Sequence, residues 1–350
     1  MVAIIGTVGV PACYGGFETL VENILDGDGE YTVYCSSKSY DEKLATYKGA
    51  NLVYLPINAN GISSVFYDGL SMLHALIKGH KVILTLGVSA GLLLPFIRLF
   101  TRRKLVTNID GLEWRRDKWS SFAKWYLKVS ERAAVKYSHE VIADNQGIAD
   151  YVYSEYGIKP RVIAYGGDHV LVKPVSGTVG DYAFGLCRIE PENNVHLILE
   201  AFSKTAHKLK FVGNWDASEY GVKLKLKYSS YKNIQILDPI YDVATLFDLR
   251  DHCNLYVHGH SAGGTNPSLV EAMFFNKPII AFDCIYNRAT MDNVGFFFQS
   301  SAELGNLIAN FKADAWDEIG IALGRIAGEK YRWEHIRNEY SALIKPKATN

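Results

Sequence analysis

Three stretches of this 350-residue sequence hold residue types whose spacing could do chemistry. The richest is His258-Gly-His260-Ser261-Ala-Gly263-Gly264-Thr265-Asn266-Pro267-Ser268-Leu-Val-Glu271-Ala-Met273. It follows a predicted strand and opens a predicted helix. Gly263 and Gly264 let the backbone approach a ligand closely. Thr265 or Asn266 can cap the helix, and Pro267 suits its first turn. Backbone N–H groups at such a turn, with the helix dipole behind them, form an anion site. The dipole contributes about 0.3–1 kcal/mol, and up to about 2 when partly buried. Glu271, about one turn inside, could accept hydrogen bonds from a ribose diol. A well-capped helix with Glu271 as an acid of its first turn fits the same residues equally well.

The second stretch is Gly185-Leu-Cys-Arg188-Ile-Glu190-Pro-Glu192-Asn193-Asn194. Arg188 could clamp a diphosphate through charge-assisted hydrogen bonds worth about 1.5–3 kcal/mol each. It could instead pair on the surface with Glu190 or Glu192, for at most about 1 kcal/mol. The third runs from Gly6 to Glu18, with Gly6, Gly9, Gly15 and Gly16 ahead of a predicted helix whose N-terminus could face an anion. Its spacing is not G-x-G-x-x-G, and no ribose-binding acid follows, so a dinucleotide site is not expected.

Elements that could position these residues are legible along the chain. Predicted strands Val2–Ile5, Tyr31–Cys35, Leu52–Leu55, Val82–Leu86, Lys104–Asn108, Glu140–Ala143 and Arg161–Ala164 alternate with helical patterns such as Glu18–Leu25 and Val65–Ile77. The pattern then restarts with strands Tyr182–Leu186, Leu209–Val212, Ile234–Ile236, Leu255–His258 and Pro278–Ala281. Alternation of this kind implies parallel, doubly wound α/β sheets. Gly166–Gly180 reads as the linker. The expected domains are residues 1–172 and 173–350, with the last helix, about 331–345, returning to the first. Ligands of open parallel sheets bind beyond the carboxyl ends of the strands, so two facing sheets would place a site in the cleft between them.

Composition narrows the function classes. Formal net charge is zero, which argues against general nucleic-acid binding. Cys13, Cys35, Cys187, Cys253 and Cys284 are scattered and odd in number, without C-x-x-C spacing. Neither a disulfide framework nor a structural zinc site is expected. The opening MVAIIG has no basic leader region, and the apolar stretch Val82–Leu99 is broken by Gly87, Gly91 and Pro95. These features give the expectation of a cytoplasmic protein without a membrane span.

Five segments together resemble glycosyltransferase family 4, most closely its bacterial rhamnosyltransferase-like branch. They are IIGTVGVPACYGGFETLVENI, NIDGLEWRRDKW at Asn108–Trp119, CRIEPENNVHLILEAF at Cys187–Phe202, YVHGHSAGGTNPSLVEAM at Tyr256–Met273 and YRWEHIRNEYSALI at Tyr331–Ile344. The resemblance implies a GT-B fold: two facing Rossmann-like α/β domains, acceptor in the N-terminal one and nucleoside-diphosphate-sugar donor in the C-terminal one. It implies retention at the anomeric carbon, with no cofactor and no metal required. Carried onto this sequence, Arg188 binds the diphosphate and Glu271 the ribose. Gly263, Gly264, Thr265, Asn266 and Ser268 hold the diphosphate and donor sugar, with Gly15 and Gly16 as further donor contacts. Asp110, Glu113 and His260 are the candidates for catalysis, the first two as groups that orient the acceptor hydroxyl. In a same-face displacement the leaving phosphate can take the acceptor proton, so a dedicated base is not required and the protein mainly positions and stabilises charge.

Two positions depart from the wider family. Gly263 stands where the first of two glutamates is usual, and Asn193 where a lysine is usual. The implied reaction is transfer of a sugar, L-rhamnose from dTDP-rhamnose, to a lipid-linked glycan in bacterial surface polysaccharide synthesis. Other donors such as UDP-galactose or UDP-glucose are the alternative, as is a nucleotide-sugar-binding subunit that has lost catalysis. Residues 98–136 hold eleven Lys/Arg against four Asp/Glu, interleaved with Trp114, Trp119, Trp125 and Tyr126. That stretch suits an anionic membrane surface at the inner face of the plasma membrane, and equally a solvated helix face with aromatic core contacts.

Overall fold

The computed structural model describes residues 1–13, 15–27, 30–115, 119–176 and 179–344. The chain forms two compact units, Met1–Tyr165 with Trp333–Asn350, and Gly166–Arg332. Each is a parallel-sheet α/β domain.

The first unit's sheet comprises β1 (Val2–Ile5), β2 (Tyr31–Ser36), β3 (Thr46–Tyr47), β4 (Ala50–Leu55), β5 (Val82–Leu86), β6 (Lys104–Asn108), β7 (Glu140–Ala143) and β8 (Arg161–Val162). Its order is β3-β4-β2-β1-β5-β6-β7-β8, parallel except for the β3–β4 pair. Strands β1 and β5 are buried at every position, as expected for strands covered on both faces. Strand order reverses at β1, so the turns after β1 and β5 flank the switch point. The helix Trp333–Ile344 joins this unit because Trp333, Ile336, Tyr340 and Leu343 are buried in the same cluster as Ile4, Leu84 and Ile142. Tyr340 also receives the Asn108 amide at 2.7 Å. The second half therefore does not run unbroken to residue 350.

The second unit's sheet comprises β9 (Tyr182–Leu186), β10 (Lys208–Val212), β11 (Ile234–Leu237), β12 (Leu255–His258), β13 (Ile279–Phe282) and β14 (Phe296–Phe298). Its order is β11-β10-β9-β12-β13-β14, parallel at every pair. The reversal falls between β9 and β12. The turns leaving these two strands are the Arg188 and Ser261–Glu271 stretches, so topology brings the two motifs to one place.

The segment expected as linker is instead part of the second unit. Gly167 N–H donates to Tyr331 carbonyl at 2.9 Å, and Gly180 N–H to His252 carbonyl at 2.7 Å. Val170 is buried with Phe247 and Phe275. Its glycine and proline content marks an irregular strap, which composition alone cannot tell from a tether. Residues 177–178 of that strap lie outside the described residues. The helix Ala313–Lys330 escapes the sequence pattern because Gly320, Gly324 and Gly328 lower its propensity. Added Cβ atoms at Gly320 and Gly324 would run into Asn276, so the glycines serve close backbone approach.

Candidate functional site

In the second unit, the turns after β9 and β12 are tied together by Asn193. Its Nδ2 donates to the Arg188 carbonyl at 2.7 Å, and its Oδ1 meets His260 Nδ1 at 2.7 Å. The carbonyl can only accept, so it fixes which way the amide points. His260 Nδ1 then carries a ring proton, which leaves Nε2 as the ring nitrogen outside this bond. That edge faces Gly263: a Cβ added there would lie 3.5 Å from Nε2. Further bonds close the pair of turns. Ser261 N–H and hydroxyl both donate to Glu192 carbonyl, at 3.0 and 2.8 Å, and Asn194 Nδ2 donates to Gly259 carbonyl at 2.9 Å. Asn287 Nδ2 holds His260 carbonyl at 2.8 Å. Asn193 is thus a buried brace where a lysine is usual.

His258, two residues earlier at the end of β12, takes no part in this network. Burial pushes it down to about 3, and its Nε2 has no hydrogen-bond partner among the described residues. It is a neutral core histidine. Of the two histidines at and just beyond the end of β12, only His260 is wired to the motif turns.

The helix Pro267–Met273 begins at Asn266, whose Oδ1 accepts Ser268 N–H at 3.0 Å and Ser268 hydroxyl at 2.7 Å. Both donors of Ser268 are therefore already used in the cap. The helix has seven residues, and the dipole of so short a helix is weak. Glu271 is paired with Arg250 through Oε2, and His169 Nε2 lies 3.6 Å from its Oε1. Arg250 is buried, and its Nε has no partner among the described residues. His169 reaches Glu271 because the strap presses Gly167 onto the helix: a Cβ at Gly167 would lie 2.8 Å from Val270 Cγ1. A carboxylate offers about four acceptor positions, so Glu271 keeps capacity for a further donor. Arg188 is half-exposed, and its guanidinium stands 3.8 Å from Glu190, a loose surface pair.

The sequence reading did not include Arg250, His169 or Asn287 in the site. His169 sits in a stretch read as linker, and Arg250 and Asn287 sit on helices without motif character.

In the first unit, Gly15 has φ 126 and caps the helix Gly16–Ile24. The turn is filled from within by Glu18. Val8 N–H donates to Glu18 Oε1 at 2.7 Å and Thr7 hydroxyl at 2.9 Å. A Cβ at Gly15 would lie 2.1 Å from Glu18 Oε2, at a backbone φ that strains any other residue. Gly16 packs by Tyr165, at ordinary contact distance for an added Cβ. Asp110 and Glu113 share the loop after β6. Asp110 adopts φ 60, a left-handed conformation that Asp tolerates, and its N–H donates to Asn108 Oδ1 at 3.0 Å. Glu113 receives Trp119 Nε1 at 3.5 Å. Arg116, beside them, lies outside the described residues. Within the basic stretch, Lys128 is enclosed by the rings of Trp114 and Tyr151, 4.6 and 4.7 Å from their centroids, and lies 3.5 Å from the buried Glu131. It serves internal packing. Among the described residues there is no group of three or more His, Cys, Asp or Glu that could hold a metal, and no helix is long and apolar enough to cross a membrane.

Comparison with known proteins fits this division. Residues 1–168 match a domain of unknown function, DUF1972, and residues 181–315 match the model for glycosyl transferases group 1. No curated protein matches the chain. Among solved structures, the sucrose-phosphate synthase of Thermosynechococcus elongatus is 14% identical with a TM-score of 0.78, covering 98% of this chain and 97% of that one. Anabaena HepE in complex with UDP is 16% identical with a TM-score of 0.75, covering 97% and 98%. The catalytic domain of Arabidopsis thaliana starch synthase IV, bound to ADP and acarbose, is 13% identical with a TM-score of 0.72, covering 98% of each chain. Likeness at these identities establishes the fold, which is GT-B.

Proposed function

Because residues 181–315 match glycosyl transferases group 1 and the fold is GT-B, we propose that this chain moves a sugar from a nucleoside diphosphate to a lipid-linked glycan with retention at the anomeric carbon. The observation that carries the reading is the Asn193 brace, which holds the Arg188 and Ser261–Glu271 turns together inside the region matching glycosyl transferases group 1. In this reading Arg188 leaves Glu190 for the donor diphosphate. Gly263, Gly264, Thr265 and Asn266 lie along the diphosphate and sugar. Glu271 accepts from the ribose while Arg250 keeps its charge compensated. His260 Nε2 faces the space that a glutamate would fill at Gly263 and accepts a hydrogen bond from a donor-sugar hydroxyl. Asp110 or Glu113 orients the acceptor hydroxyl, and the leaving phosphate takes its proton, without a metal ion. Preorganised donors and charges of this kind act by stabilising the charge that develops on the leaving group.

The proposed donor is dTDP-L-rhamnose, motivated by the segments shared with the rhamnosyltransferase-like branch, and the place of action is the inner face of the plasma membrane. A UDP-hexose donor is the second reading, favoured by the HepE structures with UDP and with UDP-glucose. One screen separates them. dTDP-, UDP- and GDP-sugars are tested for protection against thermal unfolding, and the best binder is assayed for transfer to a glycan lipid. Protection by dTDP-rhamnose with transfer supports the first reading, and protection by UDP-sugars alone supports the second. Protection without transfer supports a binding subunit, and no protection by any nucleotide overturns the donor site.

A further inference from the structure

The helix Ser63–Ile77 is built inside out. Its only charged residue, Asp68, is buried against the sheet, and Ser89 hydroxyl donates to it. Every side chain it exposes is apolar: Phe66, Leu70, Leu73 and Ile77, the last at 81%. Ile62, at its N-cap, is 74% exposed and continues the row. Spacings of three and four residues align these side chains on one stripe, about 22 Å long at 1.5 Å per residue. A helix facing water normally turns its charges outward and its apolar residues to the core. Exposed apolar area of this extent marks an interaction surface.

The stripe does not stand alone. The helices Leu94–Phe100 and Ser121–Tyr137 follow strands that step in the same direction across the sheet, so right-handed crossovers place them on the same face. A Cβ at Gly69 would lie 3.4 Å from Leu93, and Gly91 abuts Ser130, so the three helices are neighbours. The second helix exposes Phe96, Leu99 and Phe100, and the third exposes Phe122 and Trp125. Cations gather at one end of this apolar field, where the first two helices finish. Residues 62–104 hold Lys78, Lys81, Arg98, Arg102, Arg103 and Lys104, and one acid, the buried Asp68. An open recess of about 380 Å³ between the first two helices is lined by Leu76, Phe100, Thr101, Arg102 and Arg103.

We propose that this face docks on an anionic phospholipid bilayer, with the Ser63–Ile77 stripe entering the acyl boundary and the basic side chains meeting headgroup phosphates. The charge pattern selects this occupant: residues 62–104 expose no acid, so a second copy docked through them brings no partner for the cations, whereas anionic headgroups complement them. The helix lies in the plane of the interface, as amphipathic anchors do. The proposal deepens the lipid-linked acceptor reading and rests on it for its purpose. It moves the main source of affinity from the basic run 98–136 to the apolar stripe.

The test uses the full chain with two kinds of vesicle, phosphatidylcholine alone and equal parts phosphatidylcholine and phosphatidylglycerol, read by co-sedimentation. The wild type is expected to bind the mixed vesicles more tightly. Phe66→Ser with Leu73→Ser should lower partitioning to both by about a hundredfold, because two large apolar anchors are lost. Arg98→Glu with Arg102→Glu should abolish only the preference for the anionic vesicles. The overturning results are no binding by the wild type, unchanged binding by the serine variant, or a wild-type dimer that the serine variant dissociates without any vesicle binding. Protection by nucleotide sugars, measured on each variant, controls for folding. It also separates the two proposals: vesicle binding without any nucleotide protection would fault the donor site and leave this surface standing.

Discussion

The turns after β1 and β12 follow one sequence plan, a buried strand, a run rich in glycine and a helix, yet they are satisfied in opposite ways. After β1 the chain folds its own carboxylate into the turn, with Glu18 taking Thr7 hydroxyl and Val8 N–H. After β12 the turn is braced from outside itself, by Asn193, Glu192 and Asn287. Its acid, Glu271, is directed at Arg250 and His169 rather than at the turn. A glycine-rich turn therefore signals an anion site only when no internal acid fills it. Each unit buries acids and bases alike, and two of these groups, Asp68 in the first and His258 in the second, are pushed by burial toward their neutral forms.

The sharpest way to break this comparison is Glu271→Ala. If the carboxylate compensates Arg250, its removal strands a buried cation and should cost about 3–5 kcal/mol in urea unfolding. Replacing both residues, Glu271→Gln with Arg250→Met, should recover most of that loss. An unchanged midpoint for Glu271→Ala would mean that the pair does not hold the turn.

The pH responses of the two units should oppose each other. Burial pushes Asp68 from 3.8 up to about 7, so the native state holds a proton that the unfolded state has released, and the first unit loses stability as pH rises across that span. Burial pushes His258 from 6.5 down to about 3, so there the unfolded state takes the proton and the second unit loses stability as pH falls below about 6.5. The spans are about 3 and 3.5 pH units, which sets a ceiling of about 4–5 kcal/mol per group. Hydrogen exchange at pH 5 and pH 8, read separately on β1 and β9, measures both slopes. Asp68→Asn should flatten only the first. A common slope in both strands would remove the contrast.

Gly15→Ala tests the filled turn, since it combines φ 126 with a Cβ directed at Glu18, and should cost about 1–3 kcal/mol. Gly16→Ala, with ordinary room beside Tyr165, should stay within about 0.5 kcal/mol. Equal costs would show that Glu18 yields. The smallest stability effect belongs to Arg188→Ala, under about 0.5 kcal/mol for a loose exposed pair. Its nucleotide-sugar affinity should nonetheless fall by about tenfold to a hundredfold. Unchanged affinity in a titration would remove Arg188 from the site.

Most strands were readable because buried parallel strands are short, continuous apolar runs, and β1, β5, β6 and β9 match their predicted bounds. Strand β3 has two residues, too few to carry a pattern. In the site, the motif turns were legible by residue type, and their meeting followed from strand order. The Asn193–His260 bond was not legible: the two residues are 67 positions apart, and nothing in an asparagine announces its partner. Arg250 and His169 were invisible for the same reason. The exposed stripe was not legible because an apolar helical period states that one face is apolar, not which way that face turns.

The helix Trp333–Ile344 gives the first unit a history as well as a shape. The second unit is a single unbroken run of chain and is complete once residue 332 has been made. The first unit, made before the second, lacks Trp333, Tyr340 and Leu343 from its core until the chain has passed through the whole second unit. Domains usually mature in the order of translation. Here the order inverts, and the later-born half is the first able to finish. Until then the Asn108 amide waits for Tyr340, and a nascent chain stalled short of that point would hold a completed second unit beside an unfinished first.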